Sequence, residues 1–125
     1  MKTANGLWIL GLSLIGSLSF ADIKRTDLQK HNISIPGREA LQVRVDIPEG
    51  PGAPRHKHPG EELVYVISGT LEYSLDGQPP VVLKAGEVLF IPAGVFHSVK
   101  NIGRGNAAEL ATYIVEKGKP LVQLP

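Results

Sequence analysis

From Leu41 onward, apolar side chains recur at every second residue, and each run is cut short by glycine or proline. Leu41, Val43, Val45 and Ile47 alternate with Gln42, Arg44 and Asp46, and Leu71, Tyr73 and Leu75 alternate with Glu72 and Ser74. A strand sends successive side chains to opposite faces, so this period predicts half-buried strands. Residues 63–68, Leu-Val-Tyr-Val-Ile-Ser, are apolar on both parities and read as a strand covered on both sides. Residues 81–83, 88–91, 95–99 and 108–115 complete the set. Asp76-Gly77 is a hairpin signal, and Ala85-Gly86, Pro92-Ala93-Gly94 and Gly103-Arg104-Gly105 mark further turns. No helical period survives after Ala21. Seven or eight short strands at this spacing predict an all-β, antiparallel sandwich or small barrel.

The first residues read differently. Lys2 precedes a mostly apolar run over 7–18, and Ser19-Phe20-Ala21 places small residues where a signal peptidase reads. Residues 1–21 are therefore expected to be a signal peptide, and the mature chain to be periplasmic or secreted. As a helix, residues 4–21 would reach only about 27 Å, and they include Asn5, Ser13, Ser17 and Ser19, so no stable membrane anchor is expected. Cleavage leaves 104 residues, enough for one compact core, and no cysteine is present to staple it. Losing Lys2 leaves twelve basic against twelve acidic residues, without a one-signed block, which excludes nucleic acid and anionic membrane surfaces as natural partners. Residues 22–39 form an N-terminal extension whose leading strand is expected around Ile33 and Ile35, 40–118 the barrel, and 119–125 a tail. A leading strand of this kind pairs with a sheet edge in its own subunit or another, and a homodimer is expected on that ground.

Residues 48–60 hold four prolines and three glycines, so His56 and His58 enter from a constrained loop. Two residues apart on extended backbone, they point to one face and can reach one ion about 2 Å from each nitrogen. Glu62 shares parity with Val64 and Val66, whereas Glu61 shares it with Leu63, Tyr65 and Ile67. Parity does not say which side faces a pocket, but spacing from His58 favours Glu62, leaving Glu61 to the rim. A buried Glu62 without a cation is costly. His97 follows the Pro92-Ala93-Gly94 turn, and from the sequence alone a histidine beside Phe96 and Val99 is more often structural. His31, in a polar stretch, reads as a surface residue, and Arg55 and Lys57 as solvated. Tyr65, Tyr73, Phe90, Phe96 and Tyr113 read as core or interface residues.

Two blocks decide among these readings. Gly50-x5-His56-x-His58-x3-Glu62-x6-Gly69 and Gly86-x5-Pro92-x-Gly94-x2-His97-x3-Asn101 lie in order, with 16 residues between Gly69 and Gly86. They resemble the two signature motifs of the cupin family, and the chain looks like a small single-domain exported cupin of the conserved-barrel type 2 kind. The resemblance implies a jelly-roll β-barrel in which His56, His58, Glu62 and His97 ligate one divalent transition metal: Mn, Fe, Ni, Cu, Co or Zn. Such a ligand set leaves two positions of an octahedral shell for water, dioxygen or a bidentate small molecule. The expectation is an oxygenase- or isomerase-type enzyme acting on a small chelating organic substrate, with Glu62 as a candidate base. The alternative is a non-catalytic protein that captures a small molecule or metal complex. Fold alone does not choose between them.

Overall fold

A computed structural model describes residues 22–125, and the expected signal segment, residues 1–21, lies outside the described residues. Among the described residues nine strands follow one another: β1 (Lys24–Asn32), β2 (Arg38–Ile47), β3 (Ala53–His56), β4 (Gly60–Ser68), β5 (Thr70–Leu75), β6 (Val81–Lys84), β7 (Val88–Ile91), β8 (His97–Asn101) and β9 (Ala107–Glu116). Among the described residues there is no helix, so none is long and apolar enough to cross a membrane. The strands form a five-stranded sheet in the order β1-β2-β9-β4-β7 and a four-stranded sheet in the order β3-β8-β5-β6, with every strand pairing antiparallel. This is the all-β jelly-roll arrangement expected from the sequence.

The period-two alternation does the sorting. On β2 the parity of Val43, Val45 and Ile47 is buried, on β5 that of Leu71, Tyr73 and Leu75, and on β9 that of Ala111, Tyr113 and Val115. These side chains, drawn from both sheets, make one core between the layers.

Three local expectations change. The leading strand is Lys24–Asn32 rather than the Ile33–Ile35 stretch, which lies in the connection to β2. It pairs along β2 of its own chain through backbone hydrogen bonds, with Leu28 its one apolar residue and that one exposed. The strand over 63–68 is buried on one face only. Val64 and Val66 point into the core, while Leu63 and Tyr65 are 46% and 47% exposed, beside Val88 and Phe90 on β7. An apolar run reports affinity for cover without saying that the cover comes from the same chain. The strand expected over 95–99 begins at His97, because Val95 N–H bonds the Pro92 carbonyl and prolongs the turn. Residues 119–125 are tied down by a bridge in which Lys57 and Gln123 exchange both backbone hydrogen bonds.

Candidate metal centre

The two sheets bring the four residues singled out in the sequence to one place. β3 and β8 are neighbours, and His56 and His97 stand directly opposite each other on them. His58 follows β3 by two residues and keeps its parity. Pro59-Gly60 then carries the chain across to β4 in the other sheet, where Glu62 lies beside Tyr113 on one flank and Ile91 on the other. All four side chains are buried. Gly60 makes the crossing feasible: a Cβ there would lie 2.0 Å from the Ile114 carbonyl oxygen, so only glycine lets β4 begin this close to β9. Gly94, at φ +73°, supplies the left-handed residue that closes the turn ahead of His97.

The imidazole nitrogens available to an ion lie within 4.8 Å of one another across His56, His58 and His97. Each ring is held from behind by a backbone carbonyl. Nδ1 of His56 donates to Pro54 at 2.7 Å, that of His58 to Leu121 at 2.7 Å, and that of His97 to Val95 at 2.9 Å. A carbonyl can only accept, so the ring proton sits on Nδ1 in all three, and in the neutral ring Nε2 is left as a lone pair. This is the outer support that metal-bound histidines have in proteins generally. The Leu121 carbonyl gives the C-terminal segment a part in the site that the sequence did not disclose.

Glu62 Oε1 lies 3.0 Å from His58 Nε2 and 3.3 Å from His97 Nε2. With the proton on Nδ1, these contacts set lone pair against lone pair, and among the described residues the buried His58 Nε2 and Glu62 Oε1 have no hydrogen-bond partner. Two buried acceptors 3.0 Å apart call for a positive charge between them, and an ion accepting both lone pairs satisfies the chemistry of the donor set. Burial works against the charge on Glu62; a proton on the His58 or His97 ring where it faces the carboxylate, or an ion in that proton's place, outweighs burial and holds the carboxyl down at about 2. Burial, reinforced by His97, pushes the His56 imidazole down to about 4, which keeps it neutral and fit to ligate.

Beyond these four, the cavity is lined by residues that the sequence reading did not single out as site residues. Glu109 is buried on β9 and accepts a hydrogen bond from the Tyr73 hydroxyl. Burial and the neighbouring charge of Glu62 push its carboxyl up to about 8. Burial likewise raises the phenols of Tyr73 and Tyr113. Tyr113 packs edge-on against the His58 ring, centroids 4.7 Å apart, and accepts a hydrogen bond from Arg25 at 3.1 Å. A signal for Glu109 was present: it shares strand parity with Ala111, Tyr113 and Val115, and a carboxylate at a core position needs a reason. Arg25 lay in the polar N-terminal stretch, where no period marked an inner face.

The raised carboxyl gives a pH signature. Moved from 4.5 to about 8 by folding, Glu109 keeps a proton that the unfolded chain releases, so its contribution is complete below about 4.5 and is lost as pH rises through about 8. Glu62 and His56 are both shifted down, so they cost stability only as pH falls through the acid range. In metal-free protein the melting temperature is therefore expected to fall between about pH 6.5 and 8, and Glu109→Gln, a neutral isostere, to flatten that fall. Thermal melts at stepped pH check this; equal slopes in both proteins would show that Glu109 is already ionised.

The remaining sequence candidates sit elsewhere. His31 is exposed on β1 beside Gln29. Arg55 pairs with Asp76 and lies over the Phe96 ring, 4.3 Å from its centroid, on the outer side of the barrel. Glu61 is half-buried on the opposite parity from Glu62. Tyr73 and Tyr113 are core residues, while Tyr65 and Phe90 are exposed on the outer face.

Comparison with known proteins agrees with this layout. The sequence pattern of the Cupin domain matches residues 43–121, more than half of the chain. An oxalate-binding protein of Thermotoga maritima is 36% identical over 76 residues, covering 60% of this chain and 62% of that protein. The dimethylsulfoniopropionate lyase DddQ of Ruegeria pomeroyi is 35% identical over 60 residues, covering 48% of this chain and 30% of that protein. The chain thus spans less than two thirds of either relative. A solved cupin-like protein of Thermotoga maritima superposes with a TM-score of 0.68 at 21% identity, over 82% of this chain and 75% of that one, a likeness of fold.

Proposed function

The chain belongs to the cupin family, and on that premise we propose that it is an exported metalloprotein acting on a small chelating organic molecule. His56, His58, Glu62 and His97 hold one divalent transition metal, drawn from Mn, Fe, Ni, Cu, Co and Zn. The observation that carries this reading is the pair of buried acceptors, His58 Nε2 and Glu62 Oε1, left 3.0 Å apart with no hydrogen between them. When bound, such an ion supplies Lewis acidity toward a carbonyl or enolate oxygen and, in a redox-active form, access to dioxygen chemistry.

The surrounding residues favour an enzyme over a structural metal site. Glu109 is a carboxylic acid held largely neutral near pH 7, with Tyr73 fixing its orientation, so a proton is stored at a buried oxygen facing the cavity. Glu62 is the carboxylate placed to receive a proton, but a carboxyl held at about 2 is a weak base and would do so only once it leaves the ion. A non-catalytic binder is the second reading, and two observations support it: the cavity holds only about 20 Å³, little more than one water, and one relative is an oxalate-binding protein. Self-association belongs to the same proposal, supported by the uncovered Leu63, Tyr65, Val88 and Phe90 on adjoining strands, an apolar face that a second copy would cover.

Purified full-length protein is expected to carry close to one equivalent of a single transition metal by elemental analysis, and to run at about twice the chain mass in light scattering. Oxygen-uptake and absorbance screens against small enols, diketones and hydroxy acids then separate the readings. Turnover supports the enzyme, and tight binding without turnover supports the binder. Protein that takes up no metal from any of the six ions would refute both.

A further inference from the structure

One charged residue reaches the cavity from the margin of the fold. β1 is the outer strand of the five-stranded sheet, and its residues are exposed except for Arg25, which is half-buried. Arg25 pairs with Val45, a core residue of β2, so it stands on the inner parity of its strand. Among the described residues it is the one cation lining the cavity that also holds His56, Glu62 and His97. Of its five N–H donors, one is engaged among the described residues, in the 3.1 Å bond from Nη2 to the Tyr113 hydroxyl. The guanidinium lies 5.8 Å from the Tyr113 ring centroid, a loose stacking distance.

We propose that Arg25 selects small anionic ligands, its guanidinium binding one carboxylate of a molecule whose other end is held at His56, His58, Glu62 and His97. This rests on the metal site proposed above. Both acids in the cavity, Glu62 and Glu109, attract the guanidinium through space, but among the described residues neither hydrogen-bonds it, and Glu109 accepts instead from Tyr73. A planar carboxylate offers two oxygens that match the guanidinium fork, a pairing no neutral carbonyl reproduces. Size narrows the class further. At about 20 Å³ the cavity admits no second carboxylate while Arg25 rests on Tyr113, so the side chain swings outward and grips the entering acid at the mouth. Exposure of the rest of β1 leaves room for that movement. The ligands favoured are two- to four-carbon diacids, oxalate and 2-hydroxy or 2-oxo diacids among them, which chelate an ion and still turn carboxylate oxygens outward at short range.

The test uses the metal-loaded full chain and two probes of similar size: oxalate, which carries a second carboxylate, and acetohydroxamate, which chelates without one. Metal content is measured for every sample before titration calorimetry. Arg25→Gln is expected to keep its metal, to lose oxalate affinity by about tenfold or more, and to bind acetohydroxamate as the wild type does. Arg25→Lys, which keeps the charge without the fork and perturbs folding least, is expected to fall between the two on oxalate alone. Oxalate affinity unchanged in both variants, with metal in place, would overturn the proposal and leave the metal site standing. A loss shared equally by both probes would overturn it too, because Arg25 would then act through the structure. Wild-type protein that holds no metal would instead bring down the reading on which the proposal stands.

Discussion

Replacing His97 by alanine is expected to empty the metal site, whereas Glu62→Gln is expected to keep much of the metal and lose turnover. His97 supplies an imidazole whose Nδ1 is already committed to the Val95 carbonyl, so its Nε2 arrives neutral and oriented. Removing even an outer partner of a ligand costs about 10–100-fold in metal affinity, and removing the ligand itself should cost more than about 100-fold. The amide introduced by Glu62→Gln would retain a carbonyl oxygen at the same position but lack both the negative charge and the capacity to accept a proton. Its effect therefore falls on chemistry more than on occupancy. Competition with a chelator of known affinity reads the first arm, and single-turnover assays at saturating metal read the second. A His97→Ala protein with wild-type affinity would remove His97 from the ligand set. Full activity in Glu62→Gln would end its assignment as a base.

Gly60→Ala is expected to destabilise the fold by about 3 kcal/mol, near the upper end of what overpacking costs. The added methyl would lie 2.0 Å from the Ile114 carbonyl oxygen and 2.7 Å from the Val115 Cα, both backbone atoms of β9, which cannot rotate away. β4 would have to withdraw from its neighbour at the point where the chain passes from His58 to Glu62. For a domain of this size, that loss corresponds to a fall in melting temperature of about 10–20 °C. Gly77→Ala provides the comparison. There the methyl meets nothing within 4 Å among the described residues, and the cost is that of holding alanine at φ +82°, about 1 kcal/mol. Equal melting temperatures for the two variants would show that β4 and β9 separate without penalty. Metal affinity should fall in Gly60→Ala and hold in Gly77→Ala.

What the sequence disclosed, and what it hid, divides along physical lines. Strand alternation on β2, β5 and β9 marked the core because a period of two has one meaning when one face is buried. The four residues now found together were legible from spacing and from a family resemblance. Their shared position in the fold rests on pairing: His56 opposite His97 on adjoining strands, and Glu62 from the facing sheet. Contacts of that kind are long-range in the chain and leave no local pattern. Arg25 and the Leu121 carbonyl were invisible for the same reason. One lies in a strand without apolar period, and the other acts through its backbone, which has no sequence signature. Leu63, Tyr65 and Ile67 mark the opposite error, in which apolar character promised burial that a single chain does not provide.

The placement of the four side chains has a mechanical consequence. Glu62 belongs to the five-stranded sheet, and His56 and His97 to the four-stranded one. An ion held by all of them would rivet one layer to the other. The spacing of the sheets then becomes a gauge of ionic radius: an ion whose bonds are too long or too short would strain not a loop but the packing of the whole sandwich. Metal choice in this chain is, on that view, set as much by the core between the sheets as by the nitrogens and oxygens that touch the ion.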